Sequence, residues 1–212
     1  AKVLIGIEPN FADMIVFCDN KIKDFDAVIA TGSNNTSRYF EYYFGKYPHI
    51  IRHNRNSIAI VHGNESRTEL EYLCDDIFLH FGLGCRSVNK IYVPMGYNFA
   101  PLIAAAQKYS YLFEHHIYHS NFDYHKALLL LNNVNFIDGG FFAIKEDKLM
   151  YSPVSIINYE HYKDINDVIE YIGNNSENIQ CIVSVNRLEG INTIPFGKAQ
   201  TPQLTDYADG ID

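Results

Sequence analysis

The sequence predicts an α/β fold with a largely parallel sheet flanked by helices, and two observations carry that prediction. Short apolar runs of strand length alternate with segments of helical period, the order that parallel strands joined by crossover helices require. The 212 residues, 47% of them hydrophobic, are enough to bury a sizeable core.

Taken in order, Val28-Ile29-Ala30 is a short apolar strand that runs into Thr31-Gly32-Ser33-Asn34-Asn35, and Ser37 to Phe44 is a helix rich in aromatics. Strand, glycine turn and helix start form an anion-binding arrangement. Helix amino-terminal N–H groups and the helix dipole favour phosphate there, and the hydroxyls of Ser33 and Thr36 add donors. The same turn also reads as an ordinary helix cap. His49 to Arg52 and Ser57 to Val61 follow as strands, and Ser66 to Phe81 as a helix. Ser66 and Glu69 are spaced as a capping box, and Leu70, Leu73, Ile77 and Phe81 form an apolar stripe at helical spacing.

Asn89 to Pro94 is the next strand, stopped by its proline. Phe99 to Asn133 is helical and aromatic, interrupted by a histidine-rich stretch at 114–125. Phe136 to Lys145 and Tyr151 to Tyr159 read as strands, Ile165 to Ile172 as an amphipathic helix, and Ile179 to Val185 as a buried strand. Beyond Gly190 the residues Pro195, Gly197, Pro202 and Gly210 break any regular element.

A net charge of −8 without a basic stripe excludes nucleic acid as a general partner, because a phosphate backbone needs clustered Lys and Arg. Apolar runs such as Ala127 to Leu131 are far too short to span a bilayer, and the expectation is a soluble, cytoplasmic protein. His115 and His119 would share a helix face, but no cysteine lies beside them, and no metal is expected.

The four cysteines, Cys18, Cys74, Cys85 and Cys181, are widely spaced without a CxxC pair, and they are expected to be reduced. Cys18 and Cys181 read as filler in buried strands, and Cys74 lies inside a helix. Only Cys85 sits in a loop, after Gly82 and Gly84 and before Arg86. The thiolate is the nucleophile, and an adjacent cation or converging backbone N–H groups favour it. Glycines let the backbone turn sharply and let an acyl group approach the sulfur. Arg86 could tune the thiol or serve as a surface residue, and Cys85 itself could be a small hydrophobe. Paired with His80 or His53, Cys85 would instead suit a cysteine acyltransferase or thioester hydrolase.

The order of the motifs resembles the aldehyde dehydrogenase superfamily. Thr31-Gly32-Ser33 after an apolar strand is similar to its TGS turn, Gly82-Leu83-Gly84-Cys85 followed by Lys90 to its G-Q-x-C segment with a basic residue, Ser152-Pro153-Val154 to its F-G-P-V segment, and Pro195-Phe196-Gly197-Lys198 to its P-F-G-G turn. The runs from Ala27 to Ser33, Phe81 to Arg86, Pro195 to Gln200 and Asp206 to Gly210 resemble more closely the LuxC-type acyl-CoA reductases of bacterial bioluminescence. That resemblance covers essentially the whole chain.

It implies reduction of a fatty acyl thioester to the aldehyde with NADPH through an acyl-cysteine. Cys85 would be the nucleophile with Arg86 beside it, and Thr31, Gly32 and Ser33 would lie on the cofactor side. The implied division is a remnant of a nucleotide-binding domain at 1–45, a cysteine-bearing catalytic domain at 46–190, and a loop segment at 191–212 returning toward the active site. The implied partners are an acyl-CoA or acyl-protein substrate and further copies of the chain in a dimer or larger homo-oligomer. The chain would then be a fragment, and a non-catalytic substrate or oligomerisation module needing a separate cofactor domain is an open alternative.

Two departures bear on mechanism. Where the superfamily carries a water-activating glutamate in E-L-G-G, this sequence reads Arg52-His53-Asn54-Arg55. Loss of that base suits an enzyme that protects its thioester from water. Where E-x-F-G-P places a glutamate on the nicotinamide ribose, this sequence has Leu149, with Glu146 and Asp147 the nearest acids.

Overall fold

A computed structural model of the chain describes residues 1–32, 34–52 and 54–203. The chain divides into two units, Ala1–His53 and Asn54–Asp212. The first ends after its second strand.

The first unit holds helix α1 (Lys2–Ile7), a 3-10 turn at Pro9–Ala12, strand β1 (Val28–Thr31), helix α2 (Asn34–Phe44) and strand β2 (His49–Arg52). β1 and β2 pair in parallel with Val28 opposite His49 and Thr31 opposite Arg52. Ser37 is the one fully buried residue among those described in this unit. Its packing is a small aromatic group in which Phe25 lies 4.6 Å from Tyr47 and 5.7 Å from Phe44 between ring centres. The expectation of a buried strand around Cys18 fails here. Val16 and Phe17 are exposed, Cys18 is exposed, and no strand forms there, because the described residues of this unit offer no core against which that apolar run is buried.

The second unit carries strands β3 (Asn56–Ile60), β4 (Val88–Pro94), β5 (Phe136–Asp138), β6 (Ala143–Glu146), β7 (Ile156–Tyr162) and β8 (Ile179–Ser184). Helix α3 (Arg67–Phe78) joins β3 to β4, helices α4 (Ala100–Ala106) and α5 (His116–Leu131) lie between β4 and β5, and α6 (Ile165–Asn174) joins β7 to β8. The six strands lie in the order β5-β6-β7-β4-β3-β8. All pairs are parallel except β5 with β6. Strand–helix alternation thus yields the predicted sheet.

Both faces are covered, which is why the central strands read as continuous apolar runs. On one face Ala59, Val61, Ile91 and Val93 join Leu70, Leu73 and Ile77 of α3 and Leu102 and Ala105 of α4. On the other, Ile58, Ile60 and Tyr92 pack with Val168 and Ile172 of α6. Burying one such aliphatic side chain stabilises by about 1.5–3 kcal/mol, so these two layers of packing are what hold this unit together.

Three sequence readings are corrected. Phe136 to Lys145 is not one strand but an antiparallel hairpin, β5 and β6, turning at Gly139 and Gly140. Gly140 has φ +93°, and the Gly139 N–H donates to the Phe142 carbonyl at 2.8 Å. Tyr151 to Ser155 is a loop, and the strand starts at Ile156. Pro153 has no N–H to give a ladder, and Ser155 has φ +68°, outside strand geometry. The break between helices falls at a 3-10 segment, Gln107–Glu114, and His116 to Leu131 is an unbroken helix.

Candidate active site

Cys85 stands at the end of α3 and before β4, and the local sequence explains its placement. Ser66 opens α3 with both halves of the capping box, its hydroxyl accepting from the Glu69 N–H at 3.3 Å and the Glu69 carboxylate accepting the Ser66 N–H at 2.7 Å. The helix buries Leu70, Leu73, Cys74, Asp76, Ile77 and Phe78, then stops. His80, Phe81 and Gly82 all take left-handed φ values of 56°, 61° and 68°. Such a conformation costs a non-glycine residue about 1–2 kcal/mol. The predicted helix therefore ends short of Phe81, whose ring leaves the α3 stripe and lies 4.6 Å from that of His115. A tight turn follows, closed by the Ser87 N–H on the Gly84 carbonyl at 2.9 Å, and it leaves the Cys85 side chain exposed.

The backbone beneath that thiol is fixed. Ser57, fully buried on β3, donates its hydroxyl to the Cys85 carbonyl at 2.9 Å. Arg86 donates its Nε–H to the Ala199 carbonyl, and Gln200 donates to the Ser87 hydroxyl at 3.1 Å. The Pro195-Phe196-Gly197-Lys198 turn is thereby held beside the cysteine loop. Phe196 is buried in the core. Gly197 has φ +79°, and an added Cβ would lie 3.1 Å from the Tyr72 side chain, so glycine is required twice over.

Asp76 completes this fastening. Its two carboxylate oxygens accept the Gly197 N–H at 2.7 Å and the Ala199 N–H at 3.0 Å. Burial pushes its pKa up to about 6, opposed by those two N–H groups and by Arg86. Sequence reading missed Asp76. The available signal was a carboxylate in the buried stripe of an amphipathic helix.

Lys90, five residues after Cys85, lies fully buried on β4. Its ammonium donates to the Glu160 carboxylate at 2.9 Å and to the Asp147 carbonyl, while burial lowers its pKa. Asn158 holds the Leu149 and Tyr151 carbonyls at 3.0 and 2.9 Å, so the loop before Ser152-Pro153-Val154 is tied down from below. Leu149 itself is exposed, and Asp147 is paired with Lys145 at 2.6 Å. The buried Ser152 hydroxyl lies between the carbonyls of Asn89 and Ile156, at 3.0 and 2.7 Å.

Thr31 and Gly32 lie in the first unit, at the end of β1 and before α2, with the Gly32 N–H on the Arg52 carbonyl at 3.3 Å. A Cβ on Gly32 would come 2.9 Å from the Thr36 side chain, so only glycine fits that turn. Ser33 and His53 lie outside the described residues, as does the Asp206 to Gly210 run. Among the described residues no hydrogen bond joins the Cys85 thiol to a histidine. His115 accepts the Tyr118 N–H through Nδ1 at 3.4 Å, and His119 lies 3.2 Å from Asp123. No group of three or more His, Cys, Asp or Glu among the described residues is placed to hold a metal. Nor is any described helix long and apolar enough to cross a membrane.

No protein-family model matches the sequence, and no curated protein matches it. Solved structures do resemble the fold. An indole-3-acetaldehyde dehydrogenase in complex with NAD+ superposes with a TM-score of 0.52 at 12% identity, over 68% of this chain and 37% of its own. Aldehyde dehydrogenase 21 from Physcomitrella patens, in complex with succinate, gives 0.50 at 13% identity over 76% and 40%. Lactaldehyde dehydrogenase from Escherichia coli gives 0.50 at 11% identity over 68% and 38%. The fold is that of aldehyde dehydrogenases, and the chain spans 37–40% of the length of these structures.

Proposed function

We propose that the chain carries the nucleophile of an NADPH-dependent reductase that converts a fatty acyl-CoA, or a similar acyl thioester, to its aldehyde. The observation that carries this reading is an exposed Cys85 thiol on a backbone pinned by Ser57 and Arg86, in a fold shared with aldehyde dehydrogenases. The Cys85 thiolate attacks the thioester carbonyl, and the Cys85 N–H helps to stabilise the oxyanion of the tetrahedral species. Collapse expels the CoA thiolate and leaves an acyl-cysteine. A reduced nicotinamide, if bound, would supply the hydride that converts the acyl-cysteine to aldehyde and frees the Cys85 thiolate.

Thr31 and Gly32, with Ser33, are the residues assigned to the cofactor's phosphate. They suit it chemically, because a strand end and a glycine lead into the start of an eleven-residue helix, whose dipole favours an anion. The absence of a carboxylate at Leu149 leaves ribose binding to other groups. An acyl-CoA substrate and assembly into a dimer or larger belong to the same proposal.

Mass spectrometry of the chain mixed with a long-chain acyl-CoA tests the central step. The expected result is an acyl adduct on the Cys85 peptide that is lost in Cys85→Ala. An adduct of equal yield in Cys85→Ala sinks the assignment. Thioester hydrolysis that consumes no NADPH in the full-length protein would favour the hydrolase alternative.

A further inference from the structure

Cys85 has a second thiol close beneath it, and the sheet brings the two together through one residue. On β8, Ile179 and Ile182 pair with Asn56 and Ile58, so Gln180 and Cys181 both stand opposite the single residue Ser57. On β4, Val88 pairs with Ser57 and Lys90 with Ile58, so the other neighbour of β3 also gains a residue at the same level. Ser57 therefore lies between two irregularities of the ladder. Extra residues of this kind bend a strand and re-aim its side chains.

The Ser57 hydroxyl donates to the Cys85 carbonyl at 2.9 Å, and Cys181 faces Ser57 from the neighbouring strand. Cys181 therefore stands one strand spacing, about 4.8 Å, from the residue that holds the Cys85 backbone. Bridged cysteines have Cα atoms roughly 4.4–6.8 Å apart, so the Cys85 loop must give up its Ser57 and Arg86 hydrogen bonds to close on Cys181, and Gly82 and Gly84 supply the backbone freedom for that step. Cys85 is exposed to solutes and Cys181 is 3% exposed, so an oxidant meets Cys85 first. Burial raises the Cys181 pKa, while Arg86 and the Ser57 hydroxyl favour its thiolate.

We propose that Cys85 and Cys181 form a reversible disulfide when the chain meets hydrogen peroxide, with Cys181 acting as the resolving thiol. The peroxide transfers one oxygen to the Cys85 sulfur, giving a sulfenic acid and releasing water. The Cys181 sulfur then attacks the sulfenic sulfur. The S–S bond forms as the S–O bond breaks, and the departing hydroxide takes the Cys181 proton as a second water. Two thiols are oxidised and one peroxide is reduced to two waters. The disulfide shields Cys85 from the irreversible sulfinic and sulfonic steps, and a dithiol returns it to the free form. This inference stands apart from the acyl chemistry, since it needs only the two thiols.

The test is peroxide titration of the chain, followed by proteolysis without reductant and mass spectrometry. The expected product is a Cys85–Cys181 linked peptide, lighter by two hydrogens and cleaved by dithiothreitol. Cys181→Ala and Cys181→Val are expected instead to accumulate sulfinic and sulfonic acid at Cys85 under the same dose. Sulfinic or sulfonic acid at Cys85 in the wild-type chain at the rate seen in those variants overturns the proposal. So does a linked peptide that joins Cys85 to Cys18, to Cys74 or to Cys85 of a second copy. Should both variants fail to fold, the linked peptide in the wild-type chain still decides.

Discussion

The two exposed cysteines of this chain sit in opposite surroundings. Cys18 lies in the first unit, where Val16 and Phe17 beside it are exposed and its thiol donates only to the Asn20 carbonyl two residues on, at 3.4 Å. Cys85 lies in the second, above a buried serine, beside a buried carboxylate and next to an arginine tied to a distant turn. In the first unit exposure follows from the lack of a core. In the second a dense interior holds the cysteine out, and left-handed backbone at His80 and Phe81 is tolerated because the surroundings over-determine it. Exposure alone therefore does not distinguish the two thiols, whereas the hydrogen bonds beneath Cys85 do.

The sharpest way to break the second region is through Lys90. Glu160→Ala leaves a fully buried ammonium with only a carbonyl partner, and the expected loss is about 3 kcal/mol in chemical denaturation. Replacing both partners, Lys90→Met with Glu160→Ala, is expected to restore most of that loss. A loss under about 1 kcal/mol in the single variant would show that the pair does not hold the loop before Ser152.

Asp76 gives the next effect, and its sign runs against the usual carboxylate. Its folded pKa, about 6, lies above the ordinary 3.8, so the folded state binds the proton more tightly. Its contribution to stability is full below the ordinary value and is lost as pH rises through about 6. The swing is roughly 2–3 kcal/mol. Asp76→Asn should flatten the stability curve between those two pH values relative to the wild type. An unchanged pH slope would mean that Asp76 titrates as an ordinary carboxylate.

The smallest effect belongs to the first region. Val16→Ser should change stability by less than about 0.5 kcal/mol, as exposed positions do. A larger loss would show that the run around Cys18 is buried in solution, and the contrast between the regions would fall.

The second unit was legible where period and burial coincide. The alternation of apolar strands with α3 and α6 was visible because both faces of the sheet are covered, and Ser66 with Glu69 marked a real helix start. The hairpin at Gly139 and Gly140 was hidden because apolar residues run on through both strands, although Asp138-Gly139-Gly140 is a turn signal. Tyr151 to Ser155 looked extended, yet the Tyr151 carbonyl and the Ser152 hydroxyl are spent on Asn158 and Asn89, and only the Ser155 carbonyl reaches the ladder, at Ala143. Around Cys18 the apolar pattern misled, because a strand forms only where something buries it. At the candidate site, Cys85 was singled out by its glycines and Arg86. Asp76 carried only the mark of a carboxylate in an apolar helix stripe, and Ser57 and Cys181 carried none, because their placement depends on strand register.

The most direct measurement is site-resolved alkylation of all four thiols with and without a long-chain acyl-CoA. Cys18 and Cys85 are expected to react in the folded chain, while Cys74, whose pKa burial pushes up to about 12, and Cys181 react only after denaturation. Prior addition of acyl-CoA should protect Cys85 and leave Cys18 unchanged. Equal labelling of Cys85 with and without acyl-CoA, or equal protection of both exposed thiols, would contradict the account.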